Sequence, residues 1–278
     1  MADLKLIVRT PLVLVSFWFQ VRRAVPEERW AHFRVMARLY WRMAWHGEKG
    51  PVTVPLLGFR FTGWNPGIML LLFREIFLEH QYAFTSSTEK PLIIDCGANI
   101  GMSVLYFKRR WPGARILAIE ANPRAFELLK RNVEQNGLKD VECLNVAVAD
   151  AEGTLDFFVN HQAGTLLGSL REDRGGTERL QVSARRLSDL LAALPGEVAA
   201  VKIDIEGAEW QVLKDLQERG SLARPRQYLI EYHHRIGEER SRLSVFLKAL
   251  EDAGYEYTIT AAPGRLGNMQ DVLLHCTR

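Results

Sequence analysis

The 278-residue sequence has only three cysteines, a formal net charge of only +3 and no long uninterrupted apolar run. Cys96, Cys143 and Cys276 stand alone, without C-x-x-C spacing, which excludes a disulfide framework and a cysteine zinc site. Such cysteine usage favours a reducing compartment, so we expect a cytoplasmic protein. Lysines and arginines are spread along the chain, and no nucleic-acid partner is expected.

The longest apolar stretch, from Pro11 to Val21, is too short to cross a bilayer, which needs about 20 residues. No small-residue cleavage site follows it, so a signal peptide is not indicated either. With 47% hydrophobic and 25% charged residues, the composition describes one sizeable globular domain plus an appendage.

The appendage is predicted to be a helical extension over residues 1–52, ahead of a catalytic domain over residues 53–278. Tryptophans and arginines alternate through it: Trp18, Arg22, Arg23, Arg29, Trp30, Arg34, Arg38, Trp41, Arg42 and Trp45. Helices of this composition pack onto a core, lie in a membrane interface or form a dimer contact. All three interpretations stay open, including a location peripheral to the membrane.

A glycine turn between a strand and a helix is the most informative local pattern. The apolar run from Leu92 to Asp95 suits a strand buried on both faces of a parallel sheet. Gly97 then gives a tight turn, and Gly101 opens a helical pattern that stops at Trp111-Pro112-Gly113. Glycine lets the backbone approach a ligand, and the first helical N–H groups point at that ligand. The pattern predicts a nucleotide-binding turn.

The next predicted strand ends at Glu120, about 20 residues beyond the turn, where such folds place a carboxylate for the ribose hydroxyls. A dinucleotide fingerprint, G-x-G-x-x-G, needs a second glycine where this chain has Asn99. The Asn99 side chain would crowd a pyrophosphate, yet its amide can bond the amino-acid end of a sulfonium cofactor, whose ammonium group Asp95 can hold. The turn favours S-adenosylmethionine, and a nicotinamide dinucleotide is the alternative ligand.

Strands and helices alternate beyond the turn as they do in α/β folds with a mostly parallel sheet. The predicted elements are strand 92–97, helix 101–111, strand 115–120, helix 123–136, strand 141–147, helix 187–194, strand 201–205, helix 208–219, strand 227–232 and helix 241–253. A hairpin between residues 154 and 186 is expected over the active site. Two final strands, 255–260 and 271–276, form an antiparallel hairpin, whereas a nicotinamide domain would continue with parallel units.

Acids and a histidine form a second constellation at the ends of two predicted strands. Asp204 and Glu206 follow an apolar strand, and Glu231 and His233 share one side of the next strand by its period of two. Carboxylates at this end of a sheet face the ligand crevice. We hypothesise that His233, or Asp204 acting with it, takes a proton from the substrate. A divalent ion held by Asp204, Glu206, Glu231 or His233 is a second possibility.

Four segments together resemble the FkbM family of methyltransferases. They are Ile-Ile-Asp-Cys-Gly-Ala-Asn-Ile-Gly (93–101), Ala-Ile-Glu-Ala-Asn-Pro (118–123), Asn-Val-Ala-Val-Ala-Asp (145–150) and Lys-Ile-Asp-Ile-Glu-Gly-Ala-Glu-Trp (202–210). The resemblance covers roughly residues 57–276. It implies a class I methyltransferase fold with a seven-stranded sheet, S-adenosylmethionine as the donor, and O-methylation of a sugar, glycolipid or secondary metabolite.

The resemblance also implies residue roles by position. The expected cofactor-binding set is Asp95, Gly97, Ala98, Asn99, Gly101, Ser103, Glu120, Asn122, Ala147, Val148 and Asp204, with Glu120 on the ribose and Ala147 or Val148 at the adenine edge. The expected catalytic set is Asp204, Glu206 and His233. A non-catalytic nucleotide- or lipid-binding module of the same fold is the competing function. A nucleic-acid methyltransferase is disfavoured, because no Asn-Pro-Pro-Tyr motif follows the fourth strand.

Overall fold

The structure is a computed structural model, and it describes residues 4–22, 24, 26–46, 51–160, 168–234, 242–261 and 270–278. The helices are α1 (Leu4–Val21), α2 (Arg29–His46), α3 (Pro66–Phe73), α4 (Met102–Arg110), α5 (Pro123–Gln135), α6 (Glu172–Gly175), α7 (Leu187–Ala193), α8 (Glu209–Glu218) and α9 (Leu243–Asp252). The strands are β1 (Val52–Leu56), β2 (Phe59–Gly63), β3 (Leu92–Cys96), β4 (Arg115–Ile119), β5 (Val141–Leu144), β6 (Ala147–Ala149), β7 (Gly153–Val159), β8 (Gly168–Ser169), β9 (Glu178–Arg186), β10 (Ala200–Ile203), β11 (Gln227–His234), β12 (Glu256–Ala261) and β13 (Gln270–Thr277). None of the described helices combines the length and the apolar character that crossing a membrane requires.

A seven-stranded sheet forms the centre of the molecule, in the order β12-β13-β11-β10-β3-β4-β5. The five strands from β11 to β5 run parallel, and β13 is antiparallel to both β11 and β12. This arrangement confirms the predicted α/β fold and its C-terminal antiparallel hairpin. The link predicted between the last two strands, residues 262–269, lies outside the described residues.

Both faces of this sheet are covered by helices, because side chains alternate between two apolar clusters along each buried strand. On β3, Ile93 belongs to the cluster that includes helices α1 to α5, and Ile94 belongs to the cluster that includes α7 to α9. Both isoleucines are completely buried. The carboxyl ends of β3, β4, β10 and β11 therefore meet at one edge, between two rigid layers.

Helices α1 and α2 share an apolar cluster with the first half of the core. Phe17 of α1 makes an edge contact with Tyr40 of α2, with ring centroids 5.9 Å apart, and His32 of α2 lies 5.6 Å from Phe73 of α3. Part of the extension thus packs against the rest of the chain. A division at residue 52 remains a proposal.

The predicted strand 141–147 is wrong as a single element, because the chain leaves the central sheet after Leu144. Asn145 lies between β5 and β6, and its side-chain amide donates to the backbone oxygens of Glu120 and Ala121, at 2.8 and 3.2 Å. Strand β6 then joins a separate sheet in the order β6-β9-β7-β8. Within it β7 and β9 form the predicted hairpin.

The segment from Ile68 to Tyr82 has the sequence pattern of one amphipathic helix, but the helix observed there is shorter and less regular. It begins at Pro66, where the Asn65 side chain accepts from two backbone N–H groups. After Phe73 it continues as one π-helical turn over Arg74–Leu78. His80 then adopts a left-handed φ of 54°, which ends the helix and leads Gln81 and Tyr82 toward the ends of β10 and β11.

Candidate active site

The turn after β3 is fixed by the backbone of two neighbouring strands. The N–H groups of Gly97 and Ala98 both donate to the Ile119 carbonyl at 2.9 Å, and the Asp204 N–H donates to the Cys96 carbonyl at 3.1 Å. Gly97 has a φ of 80°, and a Cβ there would lie 1.8 Å from the Asp204 carbonyl oxygen. Only glycine fits this position without backbone movement.

Glu120, directly after β4, connects this turn to the next one. Its carboxylate accepts from the Asn99 N–H at 2.8 Å and from the Asn122 N–H at 2.7 Å. Its side chain lines a cavity although the residue is only 8% exposed. Burial raises the pKa of Glu120 to about 7, against the opposing effect of these two N–H donors. The carboxylate is therefore held rigidly, with lone pairs left for a ligand.

The cavity beside the turn contains about 550 Å³ of empty space, which includes the open solvent at its mouth. Its floor and one wall come from the ends of β3, β4 and β10, and the other wall comes from the smaller sheet. The lining residues are Gly97, Asn99, Ile119, Glu120, Ala121, Val146, Ala147, Val148, Phe157, Gly168, Leu170, Asp204, Ile205 and Glu206.

Lys202 on β10 lies beneath the turn and joins both groups of acids. Its Nζ is 3.2 Å from Asp95 Oδ1 and 3.5 Å from Asp204 Oδ2, and it donates to the Gly97 carbonyl at 2.9 Å. Burial disfavours the ammonium, but Asp95 and Asp204 raise the pKa of Lys202 above its usual value. Burial likewise opposes ionisation of Asp204, yet Lys202 and His233 lower its pKa. Asp204 is thus held as an anion at the cavity wall.

Several acidic side chains surround His233 behind this wall. Its Nδ1 lies 2.9 Å from Glu209 Oε1, and its Nε2 faces Glu206 at 3.4 Å and Glu231 at 3.7 Å. Burial opposes protonation, but Glu209 and then Glu206 raise the pKa of His233 to about 10. Burial, followed by Asp204, raises the pKa of Glu231 to about 8.

Two side chains that the sequence reasoning missed complete this cluster. The Tyr82 hydroxyl donates to Asp204 Oδ2 at 2.9 Å, and the Gln81 amide donates to Glu231 Oε2 at 2.7 Å. Both residues follow the π turn and are far from the acids in sequence, so no local sequence pattern predicts their contact with the acids. Arg174, in the polar stretch of the hairpin, pairs with Glu206 at 2.5 Å.

The predicted residues separate into those that line the cavity and those that lie behind it. Gly97, Asn99, Glu120, Ala147, Val148, Asp204 and Glu206 line it. Asp95 is buried behind the turn, where the Ser103 hydroxyl donates to it at 2.5 Å. Ala98, Gly101 and Asn122 are buried as well, and Asn122 caps α5 by accepting from the Arg124 N–H at 3.0 Å. His233 and Glu231 lie beyond Asp204 and Glu206.

A comparison with known protein families identifies the chain. The family model described as the methyltransferase FkbM domain matches residues 95–257, a span that runs from the end of β3 into β12. The chain belongs to the FkbM methyltransferase family. As a member, it is an enzyme that uses S-adenosylmethionine as its methyl donor, which confirms the predicted cofactor and excludes the nicotinamide and non-catalytic alternatives.

Three individual proteins illustrate what this FkbM-family methyltransferase is similar to. Methyltransferase sdnD of Sordaria araneosa is 33% identical over 177 residues, covering 53% of this chain and 68% of that protein. The 31-O-demethyl-FK506 methyltransferase FkbM of Streptomyces tacrolimicus is 28% identical over 199 residues, covering 61% of this chain and 76% of that protein. The crystal structure of methyltransferase FkbM from Methylobacillus flagellatus KT aligns with a TM-score of 0.47 at 15% identity, over 98% of this chain and 60% of that one.

Proposed function

We propose that this methyltransferase transfers the methyl group to a hydroxyl oxygen of a small molecule, of the sugar, glycolipid or secondary-metabolite class. The name of the relative FkbM specifies an O-methyl position on FK506, which supports an oxygen acceptor. The observation that carries the proposal is that Asp204 and Glu206 both line the cavity that also contains the glycine turn and Glu120. The residues proposed to bind the donor and those proposed to accept the proton therefore line the same cavity.

The donor is proposed to lie along the turn and across the end of β4. Gly97 and Asn99 would contact the methionine moiety, with Ala98 and Gly101 shaping the backbone. Asp95 and Ser103 would act through Lys202, which supports the Gly97 carbonyl. The two remaining positions of the donor follow from the cavity wall: its ribose would bond the Glu120 carboxylate, and its adenine would lie against Ala147 and Val148 of β6.

The bound sulfonium supplies the electrophilic methyl group, and the chain supplies positioning and a proton acceptor. A hydroxyl at the Asp204 and Glu206 end of the cavity would give its proton to this carboxylate pair. His233 was the residue we hypothesised to be the base. Its side chain is 1% exposed and lies 3.4 Å behind Glu206, so we now propose that it positions Glu206, while a carboxylate contacts the acceptor.

The experiment combines the full-length chain with methyl-labelled S-adenosylmethionine and separate lipid, glycan and small-molecule extracts. Recovery of the label in a methyl ether of the product would support O-methylation. Label bound to nitrogen or carbon would contradict it. Asp204→Asn and Glu206→Gln are expected to lower kcat by about 10²- to 10⁴-fold, the usual contribution of a positioned base. Binding of S-adenosylhomocysteine should change far less, which separates chemistry from folding.

The exposed aromatic surface of the N-terminal helices supports a further proposal, contact with an anionic membrane. Leu12 is 77% exposed, Phe19 60%, Trp30 60% and Trp45 59%. Trp18 and Trp30 bring the two helices together, with ring centroids 4.9 Å apart. Exposed large apolar side chains on neighbouring helices are typical of interaction sites, and aromatic and basic helices suit the membrane interface.

Exposed arginines near these aromatics, among them Arg22 and Arg34, favour a lipid surface that carries negative charge. In a flotation assay with vesicles containing phosphatidylglycerol, the wild-type chain should float with the vesicles. A Phe19→Ser/Trp30→Ser variant should remain in the bottom fraction. Ile259→Ser is the matched control, since Ile259 is 45% exposed on the edge strand β12. No flotation, together with a dimer mass that the double variant loses, would instead assign the surface to a second copy.

A further inference from the structure

The orientation of the His233 ring is the first of two observations that point to a cation. The ring is buried, and its Nδ1 lies 2.9 Å from the equally buried Glu209 carboxylate. Glu209 is itself fixed by the Gly207 N–H at 3.0 Å. A carboxylate on one ring nitrogen fixes a proton there, so that a cation displacing the second ring proton would be ligated by the other nitrogen, as in metal-bound histidines.

The spacing around the other ring nitrogen is the second observation. His233 Nε2 lies 3.4 Å from Glu206 Oε2, 3.7 Å from Glu231 Oε1 and 4.0 Å from Asp271 Oδ1, and within the described residues it has no hydrogen-bond partner. Charge-assisted hydrogen bonds are about 2.7–2.9 Å long. Two ligand atoms about 2.0–2.3 Å from one ion, at right or tetrahedral angles, lie roughly 2.8–3.8 Å apart. The spacing fits side chains that share an ion.

We propose that His233 Nε2, Asp204 and Glu206 bind a divalent cation, with Glu231 at the side of the site. One ligand atom from each of the first three lies within 4.8 Å of the others. The alternative set of Glu231, His233 and Asp271 satisfies the same distance, but only Asp204 and Glu206 line the cavity. Oxygen-rich donors with one imidazole suit Mn²⁺ and ions of similar character.

The position of this site gives the cation a role, which rests on the proposed function. An acceptor hydroxyl that entered the cavity beside Asp204 and Glu206 would reach the cation. Its proton would then be released more readily to a nearby carboxylate. Binding of the cation itself does not depend on the identity of the acceptor, so the two can fail separately.

The test uses the full-length chain, stripped with chelator and titrated with Mn²⁺, with free Mn²⁺ followed by electron paramagnetic resonance. We expect one ion per chain, displaced by Mg²⁺ or Zn²⁺, and at least a tenfold loss of affinity in Glu206→Gln and His233→Gln. Glu197→Gln is the control and should bind normally, because Glu197 forms an exposed pair with Arg226 at 2.9 Å at the opposite edge of the sheet. Absence of binding by the wild-type chain, or unchanged binding by Glu206→Gln, would overturn the site.

Thermal unfolding gives a readout that does not depend on activity. Mn²⁺ should raise the unfolding temperature of the wild-type chain. Glu231→Gln should reduce the rise that Mn²⁺ produces, because an amide is a weaker ligand than a carboxylate for a hard cation. A wild-type temperature that Mn²⁺ leaves unchanged would contradict the proposal. Methyl transfer unaffected by chelation would remove the catalytic role and leave the site.

Discussion

Glu120 is a buried carboxylate whose charge state the structure ties to cofactor binding. Its pKa is raised to about 7 by burial, so the carboxylate form increases as the pH rises through neutrality. A ribose hydroxyl donates a hydrogen bond to a carboxylate more strongly than to a carboxylic acid. Affinity for S-adenosylhomocysteine should therefore be weak at pH 6, rise toward pH 8 and then level off.

The magnitude follows from the ionised fraction. With a pKa of about 7, about one tenth of the Glu120 side chains are ionised at pH 6 and about nine tenths at pH 8. If only the carboxylate binds the ribose, the dissociation constant falls about tenfold across this range. Glu120→Gln cannot ionise and leaves either a backbone N–H or the ribose without its charged acceptor. Losing such a bond costs about 1.5–3 kcal/mol, which is roughly a 10- to 150-fold weaker affinity at pH 8.

Isothermal titration calorimetry with S-adenosylhomocysteine at pH 6, 7 and 8 checks this prediction. The comparison between wild type and Glu120→Gln isolates Glu120 from other groups that titrate near the cavity. Glu142→Gln, a change at an exposed position of β5, should keep the wild-type profile. An identical pH dependence in wild type and Glu120→Gln would refute the reasoning.

Two further predictions concern stability, and urea denaturation measures both. Gly97→Ala should lower the free energy of unfolding by about 1–3 kcal/mol more than Gly220→Ala does. Both glycines have a positive φ, but only at Gly97 would a Cβ lie against the Asp204 backbone. Equal losses in the two variants would contradict this close approach. Lys202→Met should cost about 3–5 kcal/mol, because it leaves the buried Asp95 and the half-buried Asp204 without their cation, and adding Asp95→Asn should recover part of the loss. A change below about 1 kcal/mol in Lys202→Met would show that the pairing contributes little.

The parts of the fold that the sequence predicts are those that local patterns determine. A short apolar run, a glycine turn and an acid at the end of the next strand located β3, Gly97 and Glu120, because each depends on near neighbours in the chain. The period of two along β11 likewise brought Glu231 and His233 to one side.

Other features depend on contacts between distant segments, and local patterns do not contain them. The break between β5 and β6 depends on Asn145 bonding the chain after β4. Strand β10 ends at Ile203, so the alternation of a strand does not extend to Glu206, whose φ is 57°. Tyr82 reaches Asp204 across 122 residues of sequence.

The small sheet that lines one side of the cavity is also bonded to Glu206, in the loop after β10. The Ser169 hydroxyl donates to the Glu206 carbonyl at 2.6 Å, and the Arg174 guanidinium donates to the carboxylate of the same residue. Replacing the segment from β7 to β9 would alter one wall of the cavity and the surroundings of Glu206 in a single step. The turn after β3, Glu120 and β6, which we propose to hold the donor, would keep their sequence, so this segment is a place where the choice of acceptor can be changed.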